Sequence, residues 1–426
     1  MSEFNLTWRK YGLVENPYFN APLSIDGGSV SLSNFVGRDS EREELMRVIS
    51  MGGEIRYMVV GEPGVGKTSL LNFVRFKASK EGFFTPIREI EINKPMSGNE
   101  FIILTISAIY DEINRLGVII NSGLLSRLHA LYELTQYGEL SNDIAKISQL
   151  NKHKLIELFR EIIASLIPKY KGIIIHYDNL DNFDNLEDLQ ELLADVRDFL
   201  MDKNVIFFFV GDQFLPSVIN SKIRLAQIFI TPALEVKHLS LTDVRKLLVK
   251  RITSLRIDEN IPLITPHNDE SIELLYRLHN GNIREILNSL SSCLVSISSA
   301  NTPIVIDEDL LRDILSDKAK RITGKLTTEE KGVLNKMLNK EYITPTELSS
   351  ETKKSIQNIS SKYLPKLINS GAVRLKSAEG RNKYYEITPE IRWSKLERKE
   401  EEKIKSKEEK EKKISKIITS TLKDFI

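Results

Sequence analysis

Cysteine is almost absent from this chain: Cys293 is the single thiol in 426 residues. One cysteine builds neither an intramolecular disulfide framework nor a multi-cysteine zinc site, and its scarcity fits a reducing compartment. Its apolar, helix-patterned surroundings point to packing rather than chemistry. Long hydrophobic runs are missing too. Ile173-Ile174-Ile175 and Phe207-Phe208-Phe209 sit in short apolar stretches, well under the roughly 18 residues needed to cross a bilayer. The opening MSEFNLTWRK has no signal-peptide core, so a cytoplasmic protein with no membrane insertion is expected. Neither sign of charge is in excess: 60 Lys and Arg face 59 Asp and Glu, net +1. Taken whole, that balance argues against a protein coated in positive charge for nucleic acid. Gly and Pro, at 21 and 14, are too few for a low-complexity chain, and 41% apolar residues suit folded domains. At roughly 150 residues per domain, the length implies two to four of them.

Neutrality is a sum of opposed parts. From Lys325 onward there are 24 basic and 16 acidic residues, net +8, which leaves −7 for everything before. Half of that C-terminal excess lies in the tail from Arg392, with 12 basic and 8 acidic residues.

Residues 1–30, broken by Pro17, Pro22 and Gly27-Gly28, read as an N-terminal arm. Over 31–235 strands alternate with helices. Strands are expected at Ile55 to Val60, Thr85 to Ile92, Gly172 to Tyr177, Val205 to Val210 and Gln227 to Thr231, with helices at Lys67 to Lys80, across most of 100–167 and near 186–201. That order predicts an α/β domain, a parallel sheet flanked by helices. Residues 236–324 carry helical spacing at 241–256, 268–279 and 282–299. In 325–391, Thr327 and Glu330 stand at capping-box spacing, and Thr344-Pro345-Thr346-Glu347 marks a second helix start. A longer helix follows with Ile356, Ile359, Tyr363 and Leu367 inward, then alternating strands Ala372 to Lys376 and Asn382 to Ile387. Three helices and a hairpin are the order of a winged helix-turn-helix. The tail, 392–426, mixes Lys and Glu as a helical or disordered segment. It ends with Ile414, Ile417, Ile418, Leu422 and Phe425 on one helical face, a docking helix for another subunit or a protein partner.

The strongest motif is Gly61-Glu62-Pro63-Gly64-Val65-Gly66-Lys67-Thr68-Ser69, a phosphate-binding loop directly after a strand and before a helix. Its glycines let backbone N–H groups turn toward a β-phosphate, Lys67 reaches β- and γ-oxygens, and Thr68 offers a hydroxyl to Mg2+. Asp178, at the end of an apolar strand, is the expected acidic partner of the metal. ATP and Mg2+ are therefore the expected cofactors.

With these motifs in order, the chain resembles the AAA+ superfamily, more narrowly the archaeal origin-recognition initiator ATPases and the signal-transducing STAND ATPases. Phe35-Val36-Gly37-Arg38-Asp39-Ser40-Glu41 looks like the family box that covers adenine, through Val36, Gly37 and Arg38. Gly281-Asn282-Ile283-Arg284 looks like its sensor-2 motif, which implies that 236–324 is a helical lid whose Arg284 approaches the γ-phosphate. The opening Tyr11-Gly12-Leu13-Val14-Glu15-Asn16-Pro17-Tyr18-Phe19 is instead similar to the start of ATPases of the secretion and transposition-regulator type. An aromatic arm packed on the ATPase core fits the same residues.

Two departures bear on mechanism. The family places Glu after the metal-binding Asp, to activate water; here Asn179 follows Asp178. An amide orients water but takes no proton, so slow hydrolysis and a long-lived ATP state are expected. Asp181 is nearby, with no guarantee from sequence of reaching the same water. At the sensor-1 position the family's Asn aligns with Asp212, either a group beside the γ-phosphate or a turn-forming residue. Arg224 aligns roughly with the family's arginine finger, with Lys222 an equally available cation. A finger acts on a neighbour's ATP and implies a homo-oligomer.

On the long helix of 325–391, Lys354, Gln357, Asn358, Ser361 and Lys362 are expected opposite the buried face, with Lys376, Arg381 and Lys383 at the wing. Cations suit phosphates, and Gln and Asn suit base edges, so double-stranded DNA is the expected partner. Pro365 should kink this helix near Leu364. The combined expectation is a nucleotide-controlled DNA-binding ATPase, most like a replication initiator. A STAND-type signalling ATPase with a protein partner, or a transposition- or secretion-type regulator assembling on DNA, are the alternatives.

Overall fold

The computed structural model describes residues 7–27, 31–92, 95–136, 151–183, 186–297, 302–379 and 382–394. They divide into two compact units. The first comprises residues up to Pro266 together with Gly281–Ile304, and the second comprises His267–Asn280 with the described residues from Val305 onward. The stretch 236–324 thus contributes helices to both.

The first unit is built on a parallel five-stranded sheet in the order β2-β3-β4-β1-β5, with β1 Ile55–Val60, β2 Ile90–Glu91, β3 Ile173–Asp178, β4 Val205–Gly211 and β5 Ile230–Glu235. β1, β3 and β4 are buried along their whole length, as continuous apolar strands covered on both faces should be. Alternation sorts their side chains between the faces. Met58, Ile175, Tyr177, Phe207 and Phe209 join the helices Gly98–Leu116, Ser122–Gln136 and Lys152–Leu166 on one side. Tyr57, Val59, Ile174, Ile206 and Phe208 join Asp39–Met51 and Lys67–Lys80 on the other.

Three boundaries differ from expectation. Only Ile90–Glu91 of the expected strand Thr85 to Ile92 pairs as a strand, because the segment before it is drawn aside by Arg75, whose guanidinium donates to the Thr85 hydroxyl and the carbonyls of Pro86 and Arg88. The helix near 186–201 is broken at Val196 into Leu186–Asp195 and Arg197–Leu200. The last strand lies at Ile230–Glu235 rather than Gln227 to Thr231, since Gln227 closes the short helix Ile223–Ala226.

In the second unit, Asp269–Leu278 and Glu308–Gly324 pack together. Thr328–Met337, Pro345–Thr352 and a helical run from Ile356 to Ser370 then precede the antiparallel hairpin β6 Val373–Glu379 and β7 Asn382–Ile387. The capping boxes expected at Thr327/Glu330 and Thr344/Glu347 both form. The interruption expected at Pro365 takes the form of a π turn over Ile359–Tyr363 within an otherwise continuous helical run, absorbing the missing proline N–H. No helix among the described residues is long and apolar enough to cross a membrane. The apolar stripe of the tail lies outside the described residues.

Candidate functional site: a phosphate loop and its cleft

At the C-terminal end of β1 the chain turns through residues 61–66 into the helix Lys67–Lys80. Gly66 caps that helix in the left-handed region, φ 98°, where a Cβ is strained. At Gly64 a Cβ would stand 2.6 Å from Asn282 Oδ1 and 2.9 Å from Arg284 Cβ, so only glycine lets the helix Ile283–Ser296 begin against the loop. Asn282 caps that helix, with its Oδ1 accepting from the Glu285 N–H, while its Nδ2 donates to the Pro63 carbonyl at 2.9 Å.

The Lys67 ammonium donates to the Gly61 and Glu62 carbonyls at 2.8 and 3.1 Å. Burial pushes its pKa below the usual lysine range, while Asp181, Asp178 and Asp212 act against that shift. Thr68 Oγ1 donates to Asp178 Oδ2 at 2.6 Å. Burial raises the Asp178 carboxyl to about 6, although the Thr68 hydroxyl and the Asn179 N–H both stabilise its charge. The sheet thus holds a hydroxyl and a carboxylate side by side at the loop, a pair of hard oxygen ligands of the kind magnesium takes along with phosphate oxygens. This donor set fits Mg-ATP.

These groups open on a cleft within the first unit. Of the expected site residues, Val36, Arg38, Pro63, Gly64, Val65, Gly66, Lys67, Thr68, Ser69, Asp178, Asn179 and Arg284 line it. Gly61 and Glu62 serve through their carbonyls on Lys67. Gly37 lies behind the wall, where a Cβ would meet Asp243 at 3.2 Å. Arg38 adopts φ 64°, rare for a non-glycine residue. It is held by donating to Val65 O and Glu41 Oε1, both at 2.9 Å, so its guanidinium braces the phosphate loop. Asn179 is also left-handed, φ 63°, and its N–H donates to Asp178 Oδ1.

Asp212 and Arg224 are not among the lining residues. Asp212 Oδ1 accepts from the Phe214 N–H at 2.9 Å, the turn-forming alternative, and burial raises its pKa. Arg224 is exposed on the short helix Ile223–Ala226, its carbonyl accepting from Arg197; Lys222 is the N-cap of the same helix.

Sequence reasoning missed one wall. Asn20, Ala21, Pro22 and Leu23 of the arm line the cleft with Leu239, Leu247 and Arg251. Leu23 N–H donates to Ser69 Oγ at 3.0 Å, and its carbonyl accepts from Asn72 Nδ2 at 3.1 Å. Arg251, 6% exposed, donates to the carbonyls of Pro17 and Phe19. Tyr11, Leu13 and Tyr18 are fully or almost fully buried. The clustered aromatics were the one available signal.

In the second unit the expected DNA-facing residues are partly engaged internally. Ile359, Tyr363 and Leu367 are buried, but Ile356 is 49% exposed, a correction explained by its place at the first helical position, on the rim of the core. Lys354 precedes the helix, which Ser355 caps, so it is not on the helix face as expected. Its ammonium lies 4.7 Å from the Tyr363 ring centroid, with that of Lys362 at 5.0 Å. Tyr363 donates to Glu329 at 2.8 Å, and Lys362 stands 3.8 Å from the same carboxylate. Lys376 pairs with Glu341 at 3.2 Å. Gln357, Asn358, Ser361 and Lys383 are exposed; Arg381 lies outside the described residues.

Residues 34–207 match the family model described as an AAA ATPase domain. Over 397 residues the chain is 24% identical to an uncharacterized HTH-type transcriptional regulator of Methanocaldococcus jannaschii, covering 91% of this chain and 93% of that protein. Among solved structures, the ORC2 protein of Aeropyrum pernix is 15% identical with TM-score 0.47, covering 89% of this chain and 95% of that one. The ORC1 protein of the same organism, solved in complex with DNA, is 15% identical with TM-score 0.44, covering 89% and 92%.

Proposed function

From the premise that this chain carries an AAA ATPase domain over residues 34–207, we propose that it is a cytoplasmic, nucleotide-controlled DNA-binding ATPase of slow turnover, most like a replication initiator. The observation that carries the ATPase reading is the triad of contacts at the loop: Lys67 on the Gly61 and Glu62 carbonyls, and Thr68 on Asp178. Thr68 and Asp178 would hold Mg2+, which would supply neutralisation of phosphate charge. On nucleotide entry Lys67 exchanges its carbonyl partners for phosphate oxygens, and Arg284 stabilises charge at the γ end. Asn179, lacking a carboxylate, orients water without accepting its proton, which favours a persistent ATP state.

DNA binding rests on the three helices and hairpin of 325–391, a winged-helix order, with Gln357, Asn358, Ser361 and Lys383 exposed. A relative described as an HTH-type regulator supports it. Coupling is supported by chain connectivity: Arg284 lies four residues after Asn280, where the chain leaves the second unit for the first. Assembly into homo-oligomers, with Arg224 acting on a neighbour's ATP, belongs to the same reading. A signalling ATPase with a protein partner is the second reading, favoured by the Glu329 and Glu341 carboxylates that occupy Lys362 and Lys376.

Footprinting on duplex DNA with ATP, with ADP and without nucleotide separates the readings. A defined protected site that changes with nucleotide supports the initiator. Protection without sequence preference supports a regulator assembling along DNA, and none at moderate salt supports the signalling protein.

A further inference from the structure

The geometry of the cleft raises the question of which group takes the proton of the attacking water when residue 179 is an amide. Besides Glu62 of the loop itself, which stands 3.4 Å from His238 Nε2 and does not line the cleft, the acidic neighbours to weigh are Asp178, Asp212, Glu89 and Asp181. Asp178 accepts from Thr68 and belongs to the metal pair. Asp212 is turned to the Phe214 N–H and does not line the cleft. Glu89 accepts from Asn72 Nδ2 at 3.2 Å and does not line it either. Asp181 does line it, is exposed, and among the described residues receives no hydrogen bond.

The backbone explains its position. Asn179 in the left-handed region ends β3 abruptly, and the chain coils at once into the short 3-10 turn Leu180–Asn182. Leu180 is buried in the core beneath that turn, 2% exposed, which anchors it. Asp181 lines the same cleft as Lys67, Thr68 and Asp178. On the ATPase reading Lys67 reaches the γ-phosphate, so a carboxylate that lines its cleft is placed toward the end of the nucleotide where water attacks.

We propose that Asp181 is the catalytic base of this site, an inference that rests on the ATPase reading above. In the step it serves, a water oxygen forms a bond to the γ-phosphorus as the bond from that phosphorus to the bridging oxygen of ADP breaks. The water proton passes to the Asp181 carboxylate and from there to the released phosphate, so that carboxylate, ADP and inorganic phosphate remain. Asn179 positions the water, and Asp181 accepts from it.

Full-length wild type, Asp181→Asn, Asn179→Glu, the double variant and Lys67→Ala should be compared for phosphate release and for binding of a fluorescent ATP analogue with Mg2+. The isosteric Asp181→Asn is expected to lower kcat about 100-fold while analogue affinity stays within about threefold. Asn179→Glu in the Asp181→Asn background is expected to restore turnover. A kcat for Asp181→Asn within about threefold of wild type would overturn the assignment, as would an equal loss of affinity or failure of the Glu rescue. Wild-type turnover no greater than that of Lys67→Ala would overturn the ATPase reading and this one together. Activity that depends on Lys67 but not on Asp181 would overturn this one alone.

Discussion

The cations of the two units are held in opposite ways. In the first unit, Lys67 is buried and donates to two backbone carbonyls, neutral acceptors that a phosphate outcompetes because charge-assisted hydrogen bonds are stronger. In the second, Lys354, Lys362 and Lys376 lie on or near the surface against Tyr363, Glu329 and Glu341, and surface pairs of this kind are weak because solvent screens them. The first arrangement pre-aims a charge at one ligand. The second masks a modest charge that can be exchanged at low cost. Nucleotide affinity should therefore depend steeply on single residues, and DNA affinity shallowly on several.

The largest effect that would break this contrast is at Lys67. Lys67→Ala is expected to reduce phosphate release by about 10²–10³-fold, and a loss below tenfold would mean the buried cation is not what the cleft is organised around.

Acid should separate the units next. His267 and His279 of the second unit are buried, and burial lowers their pKa to about 4 and about 3. Below pH 6.5 the unfolded state gains protons that the native state cannot take, so stability is full above that pH and falls as pH drops toward 4. At pH 4.5 each histidine should cost the second unit about 2–3 kcal/mol. Thermal melts followed by calorimetry should show it, and His279→Gln should flatten the dependence of that transition.

A smaller effect sharpens the other side. Glu329→Gln releases Lys362 and the Tyr363 hydroxyl, and DNA affinity at moderate salt should rise about three- to tenfold, read by fluorescence anisotropy; a signalling protein would show no gain. Smallest is Lys354→Ala, expected to reduce the slope of log affinity against log salt by about one unit.

What was legible in the sequence was chemistry carried by neighbours in the chain. Gly64 to Thr68 form a contiguous loop, Asp178 ends an apolar strand, and Asn282-Ile283-Arg284 open a helix, so each could be placed before any contact was known. The arm wall was not legible, because Leu23 contributes its N–H and carbonyl rather than its side chain, and backbone groups leave no residue-type signature. Arg251 was hidden for a related reason: in a helical pattern it resembles any surface arginine, and only the folded arm supplies the carbonyls it caps. The engagement of Lys362 was equally out of reach, since Glu329 lies in a different helix. Asp181 was visible but unplaced, because its value depends on the left-handed turn at Asn179, a conformation an asparagine permits without requiring.

Equilibrium affinity for duplex DNA, measured with saturating Mg-ATP and with Mg-ADP on wild type and Lys67→Ala, bears most directly on nucleotide control of DNA binding. A difference of about fivefold or more between the two nucleotides, abolished in Lys67→Ala, is the expected result. Equal affinities in wild type at saturating nucleotide would contradict it.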